Sequence, residues 1–175
     1  MISKDLHHFK SSLPVFSLLL DDGDLNLYLK SLILEYRKEH PTSYNSNVKA
    51  WHTDFNLNQV PEFKPIIDLT LQACRDISIE YFDNEVNFYS ENMWAMMYDR
   101  GDHTIEHAHW PCDFATTYYV DVEDGSSPIM FGKDSITPRS GMLLLWPGIM
   151  KHSVPSTDSK RMVIGHNLNK LSLNN

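Results

Sequence analysis

From residue 85 onward the chain is cut into short strand-like runs: 86–89, 92–98, 104–109, 116–122, 129–131, 141–145 and 161–167. Each is closed by Gly, Pro, Asp, Asn or Ser, the residues that end a strand and start a turn. The first half reads differently. An entry strand at 15–19 leads into Asp21-Asp22-Gly23-Asp24, a turn that also offers helix-capping carboxylates. Leu25, Tyr28, Leu29, Leu32, Ile33 and Tyr36 then recur at helical spacing, and His40-Pro41 ends that helix. A second helix is predicted from Pro61 to about Tyr81, with Asp83-Asn84 as its exit turn. Two helices followed by many short strands predict an α+β, mainly β fold, with the helices packed outside a double-sheet β-roll. The division falls at 1–84 (helical support and loop) and 85–168 (β core), within a single domain spanning 1–175, as 175 residues predict. Residues 169–175 read as a frayed tail.

Charge and composition exclude several roles. The net charge is −8 and the 15 Lys and Arg are scattered, so a phosphate backbone would be repelled and no nucleic-acid partner is expected. No apolar run approaches the length needed to span a bilayer, and residues 1–10 carry Lys, Asp and two His where a secretory signal would be apolar. Two cysteines, Cys74 and Cys112, suit a reducing compartment better than a disulfide framework. The expected location is the cytoplasm, or the host cytoplasm for a phage-encoded protein. His7-His8 reads as a solvated N-terminal feature. The polar stretch 42–58, holding Trp51, His52 and Asp54, reads as a long loop with a short strand near 51–53, placed to act as a lid or recognition loop.

The chemistry-bearing residues are His107, His109, His152 and Arg161. On a strand over 104–109, His107 and His109 point from one face. His103 belongs to the preceding Gly101-Asp102 turn. His152 follows the buried strand Met142-Leu143-Leu144-Leu145-Trp146 and the Pro147-Gly148 turn. Two imidazoles from one strand and one from a distant strand can close a facial metal site with open positions, the arrangement of non-haem iron oxygenases. Asp113, Asp102 and Glu106 are alternative carboxylate ligands to His109. Arg161 opens an apolar run, and a guanidinium is costly to bury there without a partner. A co-substrate carboxylate or a salt bridge to Asp158 would each satisfy it.

The segments Trp94–Gly101, His107-Ala108-His109, Tyr118-Tyr119-Val120, Pro138–Pro147, His152 and Arg161 together resemble the 2-oxoglutarate- and Fe(II)-dependent oxygenase superfamily. More narrowly, they resemble a small bacterial and phage branch with an H-x-H motif. The most specific part is Gly141-x-Leu143-x-Leu145-Trp146-Pro147, followed by His152 and Arg161; Ser46-Asn47 and Trp51 also match an element ahead of that branch's core. The resemblance implies a double-stranded β-helix (jelly-roll) with iron in its mouth, held by His107, His109 and His152. It implies Arg161 on the distal carboxylate of 2-oxoglutarate and Tyr98 donating a hydrogen bond to that co-substrate. Fe(II), 2-oxoglutarate and O2 are the implied cofactors. The superfamily's usual H-x-D is H-x-H here, so one ligand is neutral where a carboxylate is customary. Trp94, Met96, Trp110, Tyr118 and Trp146 are candidates to line the cavity or fill the core. The expected activity is hydroxylation of an aliphatic C–H in a peptide or protein side chain, proline foremost, or in an amino acid or other small molecule. Two rivals stand beside it: a three-histidine cupin-like dioxygenase that needs no keto acid, and a non-enzymatic β-sandwich binding module with structural zinc. Oligomeric state is not readable from the sequence.

Overall fold

The computed structural model describes residues 13–20, 22–44, 46–156 and 158–171. His7, His8 and the far end of the expected tail, 172–175, lie outside the described residues.

Strand β1 (Phe16–Leu19) enters first. Helix α1 (Gly23–Glu39) follows, capped where the Asp22 side chain accepts a hydrogen bond from the Leu25 amide at 2.9 Å. Leu29 and Ile33, one helical turn apart, are fully buried. Pro41 cannot continue the helix, which ends with the His40 amide donating to the Tyr36 carbonyl. The polar stretch holds two short strands, β2 (Val48–Lys49) and β3 (Trp51–His52), where one was expected. The second helix begins later than the sequence suggests. Pro61–Phe63 forms a 3-10 turn, and α2 runs Lys64–Phe82 with Pro65 in its first turn, where a missing N–H costs nothing. Its buried stripe is Ile66, Thr70, Ala73, Cys74 and Ile77, and Asp83 closes it in the left-handed conformation.

The remaining strands are β4 (Phe88–Tyr98), β5 (His103–His107), β6 (Phe114–Val122), β7 (Ile129–Phe131), β8 (Asp134–Ile136), β9 (Met142–Pro147), β10 (His152–Val154) and β11 (Arg161–Lys170). Among the described residues they form two sheets with β1–β3, ordered β1-β9-β6-β11-β4-β3 and β2-β5-β10-β7-β8, with every strand pair antiparallel. Both helices pack on the outer face of the larger sheet. Leu143 and Leu145 of β9 and Met162, Ile164 and Leu168 of β11 join the helical residues in one core. The alternate residues Met142, Leu144, Trp146 and Val163 face inward and meet Val48, Ile129 and Val154 of the smaller sheet in a second core. Double coverage explains why 142–146 is apolar without alternation: both faces are buried. This is the mainly β roll with helices outside that the segment pattern predicts.

Three departures have physical causes. The runs 86–89 and 92–98 form one strand, because Asn167 pairs with Asn92 and Leu168 with Ser90, leaving Glu91 as a bulge. The polar Ser90-Glu91 break marks that bulge and not a strand end. Strands β8 and β10 are three residues long with one apolar residue each, Ile136 and Val154, so neither leaves the apolar run that marks 129–131. Asn169 and Lys170, expected in the tail, belong to β11 and are tied down where the Lys170 amide donates to Asp113 at 2.8 Å and the Asp113 amide to the Asn169 side-chain oxygen at 3.0 Å.

Gly165 on β11 faces Trp94 on β4 across the ladder. A Cβ at residue 165 would stand 2.5 Å from Trp94 Cε2, so the indole lies directly on the glycine. Trp94 is itself buried and has little room to retreat. Gly165→Ala is expected to destabilise the fold by about 1–3 kcal/mol through overpacking. A urea midpoint equal to that of the parent chain would show that Trp94 is free to move.

Candidate metal and co-substrate site

Antiparallel pairing of β5 with β10 sets His107 directly opposite His152. His109 comes from a different device than expected. Strand β5 stops at His107, so strand alternation does not orient His109. A turn does: the His109 amide donates to Gly148 O at 2.8 Å, and its carbonyl accepts from the Cys112 amide at 2.8 Å. The loop after β5 is thereby fastened to the β9–β10 connection. The ring centroids lie 4.4 Å apart for His107 and His152, 5.0 Å for His109 and His152, and 5.0 Å for His107 and His109. One ring nitrogen from each can be chosen so that all three lie within 4.8 Å of one another. His107 Nδ1 is 2.8 Å from the Ile105 carbonyl, which leaves Nε2 free to ligate. His152 Nδ1 is buried without a partner.

The alternative carboxylates do not join this cluster. Asp113 is engaged by Lys170, through the backbone amide and through an ion pair at 3.6 Å. Asp102 accepts from the Asp99 amide at 2.7 Å, and Glu106 lies 4.0 Å from Lys151. His103 is exposed in β5. Both cysteines are free thiols.

Arg161 begins β11 opposite Tyr98 and Val122 and is only 4% exposed. Its Nη1 donates to the Ser127 carbonyl at 2.7 Å and its guanidinium lies 4.3 Å over the Tyr98 ring, while Nε has no partner. Among the described residues no carboxylate lies within ion-pairing distance of Arg161, so the expected alternative, a bridge to Asp158, is not formed. The Tyr98 hydroxyl sits 2.6 Å from Thr104 Oγ1. These groups and the three histidines line one pocket, walled by Val163, Ile129 and Val154.

A second, outer groove of about 410 Å³ shares Val48, Trp94, His107 and His109 with the inner pocket. Ser46, Asn47, His52 and Phe55 from the 42–58 stretch form one side of it. Trp94 stands between the two regions, its ring nearly parallel to His109 at 5.7 Å and to His52 at 6.0 Å. Of the candidates to line the cavity, Trp94 and Met96 line the inner pocket, and Trp110 is 74% exposed on the outer groove. Trp146 is buried behind the imidazoles, 4.9 Å from the His152 ring. Tyr118 faces the helices and donates to Asn26, so it does not line the cavity; its neighbour Tyr119 does. Sequence reasoning did not single out Thr104 or Asn167. Counting by twos from Arg161 along β11 reaches Val163, Gly165 and Asn167 on one face, and that count would have found the last of these.

Burial holds all three histidines neutral. His152 is pushed down to about 2 and His109 to about 3, by desolvation first and neighbouring imidazoles second; His107 moves the same way through burial. On the helix side of β11, burial also pushes His166 down to about 3. The unfolded chain takes up protons on these residues below about pH 6.5, where the folded chain does not. Stability is therefore full above about pH 6.5 and falls as pH drops toward about 3, by up to about 1.4 kcal/mol per pH unit for each such histidine. Urea unfolding of the metal-free protein should show a lower midpoint at pH 5 than at pH 7.5, and equal midpoints would overturn the assignment of neutral buried imidazoles.

No family model and no curated protein matches the chain. Solved structures do. A prolyl-4-hydroxylase from Pseudomonas putida superposes with a TM-score of 0.68 at 13% identity, covering 90% of this chain and 93% of that one. The viral collagen prolyl hydroxylase of Paramecium bursaria Chlorella virus-1, in its 2-oxoglutarate complex, gives 0.62 at 17% identity over 88% and 94%. The non-haem α-ketoglutarate-dependent carbocyclase SnoK of nogalamycin biosynthesis gives 0.67 at 10% identity over 88% and 78%. Identities this low speak to architecture alone. The chain has the double-stranded β-helix fold of the 2-oxoglutarate- and Fe(II)-dependent oxygenases.

Proposed function

We propose that this protein is an Fe(II)- and 2-oxoglutarate-dependent dioxygenase that hydroxylates an aliphatic C–H bond of a peptide or protein side chain or an amino acid. One observation carries the reading: three neutral imidazoles converge in the same pocket as a buried guanidinium that has no carboxylate partner among the described residues. The donor set fits a divalent first-row metal. Nitrogen ligands suit Fe(II), neutral rings need lose no proton to bind, and three protein ligands leave three octahedral positions open.

When bound, Fe(II) with 2-oxoglutarate and O2 supplies the oxidation, in which R–H, 2-oxoglutarate and O2 become R–OH, succinate and CO2. The chain's own groups provide position and exclusion. His107 would bind through Nε2, because Ile105 occupies Nδ1. Arg161 would clasp the distal carboxylate of the keto acid, with the Tyr98 ring beneath the guanidinium holding it in place. The Tyr98–Thr104 hydroxyl pair stands where it can offer that carboxylate a donor. Val163, Ile129 and Val154 keep water from the inner end. Three neutral ligands leave the full 2+ charge to attract a dianionic co-substrate, compensating for the absent carboxylate ligand.

That absence also favours a second reading, a three-histidine dioxygenase that needs no keto acid. It leaves the unpaired Arg161 without a purpose. A structural zinc site is disfavoured because the cluster holds three side chains, where closed tetrahedral sites use four.

Anaerobic addition of Fe(II) and 2-oxoglutarate should produce the weak visible charge-transfer band of the chelate, with succinate released on aeration. Tight zinc retention with no band would instead favour the binding module. His152→Ala should abolish Fe(II) binding and turnover together. Arg161→Ala should retain Fe(II) binding but raise the KM for 2-oxoglutarate about 10- to 100-fold, the loss of one charge-assisted anchor. If the Arg161 variant keeps its keto-acid affinity, the co-substrate assignment fails.

A further inference from the structure

We propose that the outer groove selects a residue embedded in a polypeptide over a free amino acid or organic acid, and that Asn167 accepts a main-chain N–H of that segment. The inference rests on the oxygenase reading and deepens it. Four observations converge on it.

The first is the charge of the lining. Among its described residues the groove has no Lys or Arg, and its one carboxylate, Glu91, already accepts from Asn169 Nδ2 at 3.1 Å. The carboxylate of a free amino acid would meet no cation there, and Arg161 lies in the inner pocket. A chain-internal residue carries neither terminal charge, so it enters without that penalty.

The second is the row of carboxamides. Asn47, Asn92, Asn167 and Asn169 all line the groove. A carboxamide carries both a donor and an acceptor, the complement of a peptide main chain, although Asn169 spends its own on Glu91 and the Asp113 amide, and Asn167 and Asn92 are bonded to each other. The third is an acceptor left open. Asn167 is 7% exposed, its Nδ2 donates to Asn92 Oδ1 at 2.9 Å, and its buried Oδ1 has no partner except the neighbouring His109 ring. A carboxamide oxygen carries two lone pairs, so one is left for a ligand donor. It stands beside His109, where a segment presenting a C–H to the metal would pass. The fourth is Trp110, a large aromatic left 74% exposed on the same groove, suited to cover an apolar side chain.

The test uses the full chain with Fe(II) and 2-oxoglutarate. Twenty capped pentapeptides, acetyl-Gly-Gly-X-Gly-Gly-amide, are compared with the twenty free amino acids. Two quantities are read: perturbation of the anaerobic charge-transfer band and succinate release on aeration. At least one capped peptide should perturb the band and accelerate succinate release, and its free amino acid should do neither at equal concentration. Asn167→Ala should raise the KM for that peptide at least tenfold while kcat and the KM for 2-oxoglutarate move less than twofold. Trp110→Ala, a surface change that leaves the core intact, should raise the peptide KM at least threefold and serves as the test if the Asn167 variant does not fold. Stimulation by free amino acids alone, or a band that responds to no capped peptide, overturns the substrate proposal and leaves the oxygenase reading standing. Loss of Fe(II) affinity in Asn167→Ala with the peptide KM unchanged overturns the role of Asn167, since the carboxamide would then serve only to hold His109. No band in the parent protein overturns the oxygenase reading and this inference with it.

Discussion

The ladder between β5 and β10 is the constraint on which the site depends. It is a short pairing, irregular between residues 152 and 154, and it sets His107 across from His152. A shift of one residue would turn one imidazole to the opposite face of the smaller sheet. The surrounding architecture keeps that register: β2 and β7 flank the pair, and the larger sheet closes the other side of the pocket. The third imidazole arrives by a different route, from a turn whose backbone is bonded to the β9–β10 connection. Two elements distant in sequence thus converge through main-chain hydrogen bonds, and the side chains follow.

The larger sheet shows how one strand can serve two masters. Strand β11 is paired on both edges, with β4 and β6. Its even-numbered residues Met162, Ile164 and Leu168 anchor the helices, and His166 on that face hydrogen-bonds Ser90 across the ladder. Its odd-numbered residues meet the chemistry: Arg161 at the inner end, Val163 on the wall, Gly165 under the Trp94 indole, Asn167 at the outer groove. Position along one strand therefore measures depth in the cavity, from the guanidinium inward to the carboxamide outward.

Much of this was legible in the sequence for definite reasons. The helices were readable because Leu29 with Ile33, and Ile66 with Ala73 and Ile77, sit at helical spacing on a buried face. The strand at 142–146 was readable because both its faces are covered. The cluster of His107, His109 and His152 was readable from residue type and spacing, although the premise that one strand carries both of the first two was wrong. Other features left no local signal. The bulge at Glu91 looks like a strand end, since one unpaired polar residue and a turn share the same composition. Strands β8 and β10, with one apolar residue in three, show neither a run nor a period. Tyr118 and Tyr119 are adjacent and chemically alike, and only the sheet's two sides distinguish the one that faces the helices from the one that faces the cavity.

Gly148 accepts the His109 amide at its carbonyl and donates its own amide to Asp113 O at 3.0 Å, and a Cβ there would strike the Cys112 carbonyl. The loop carrying one imidazole and the β9–β10 connection leading to another thus meet at a point with no space for any substituent. A side chain at residue 148 would part the two backbones and with them His109 and His152. Redesign of the metal preference through this seam is closed, and retuning has to come from the rings' surroundings, Trp94 and Trp146 foremost.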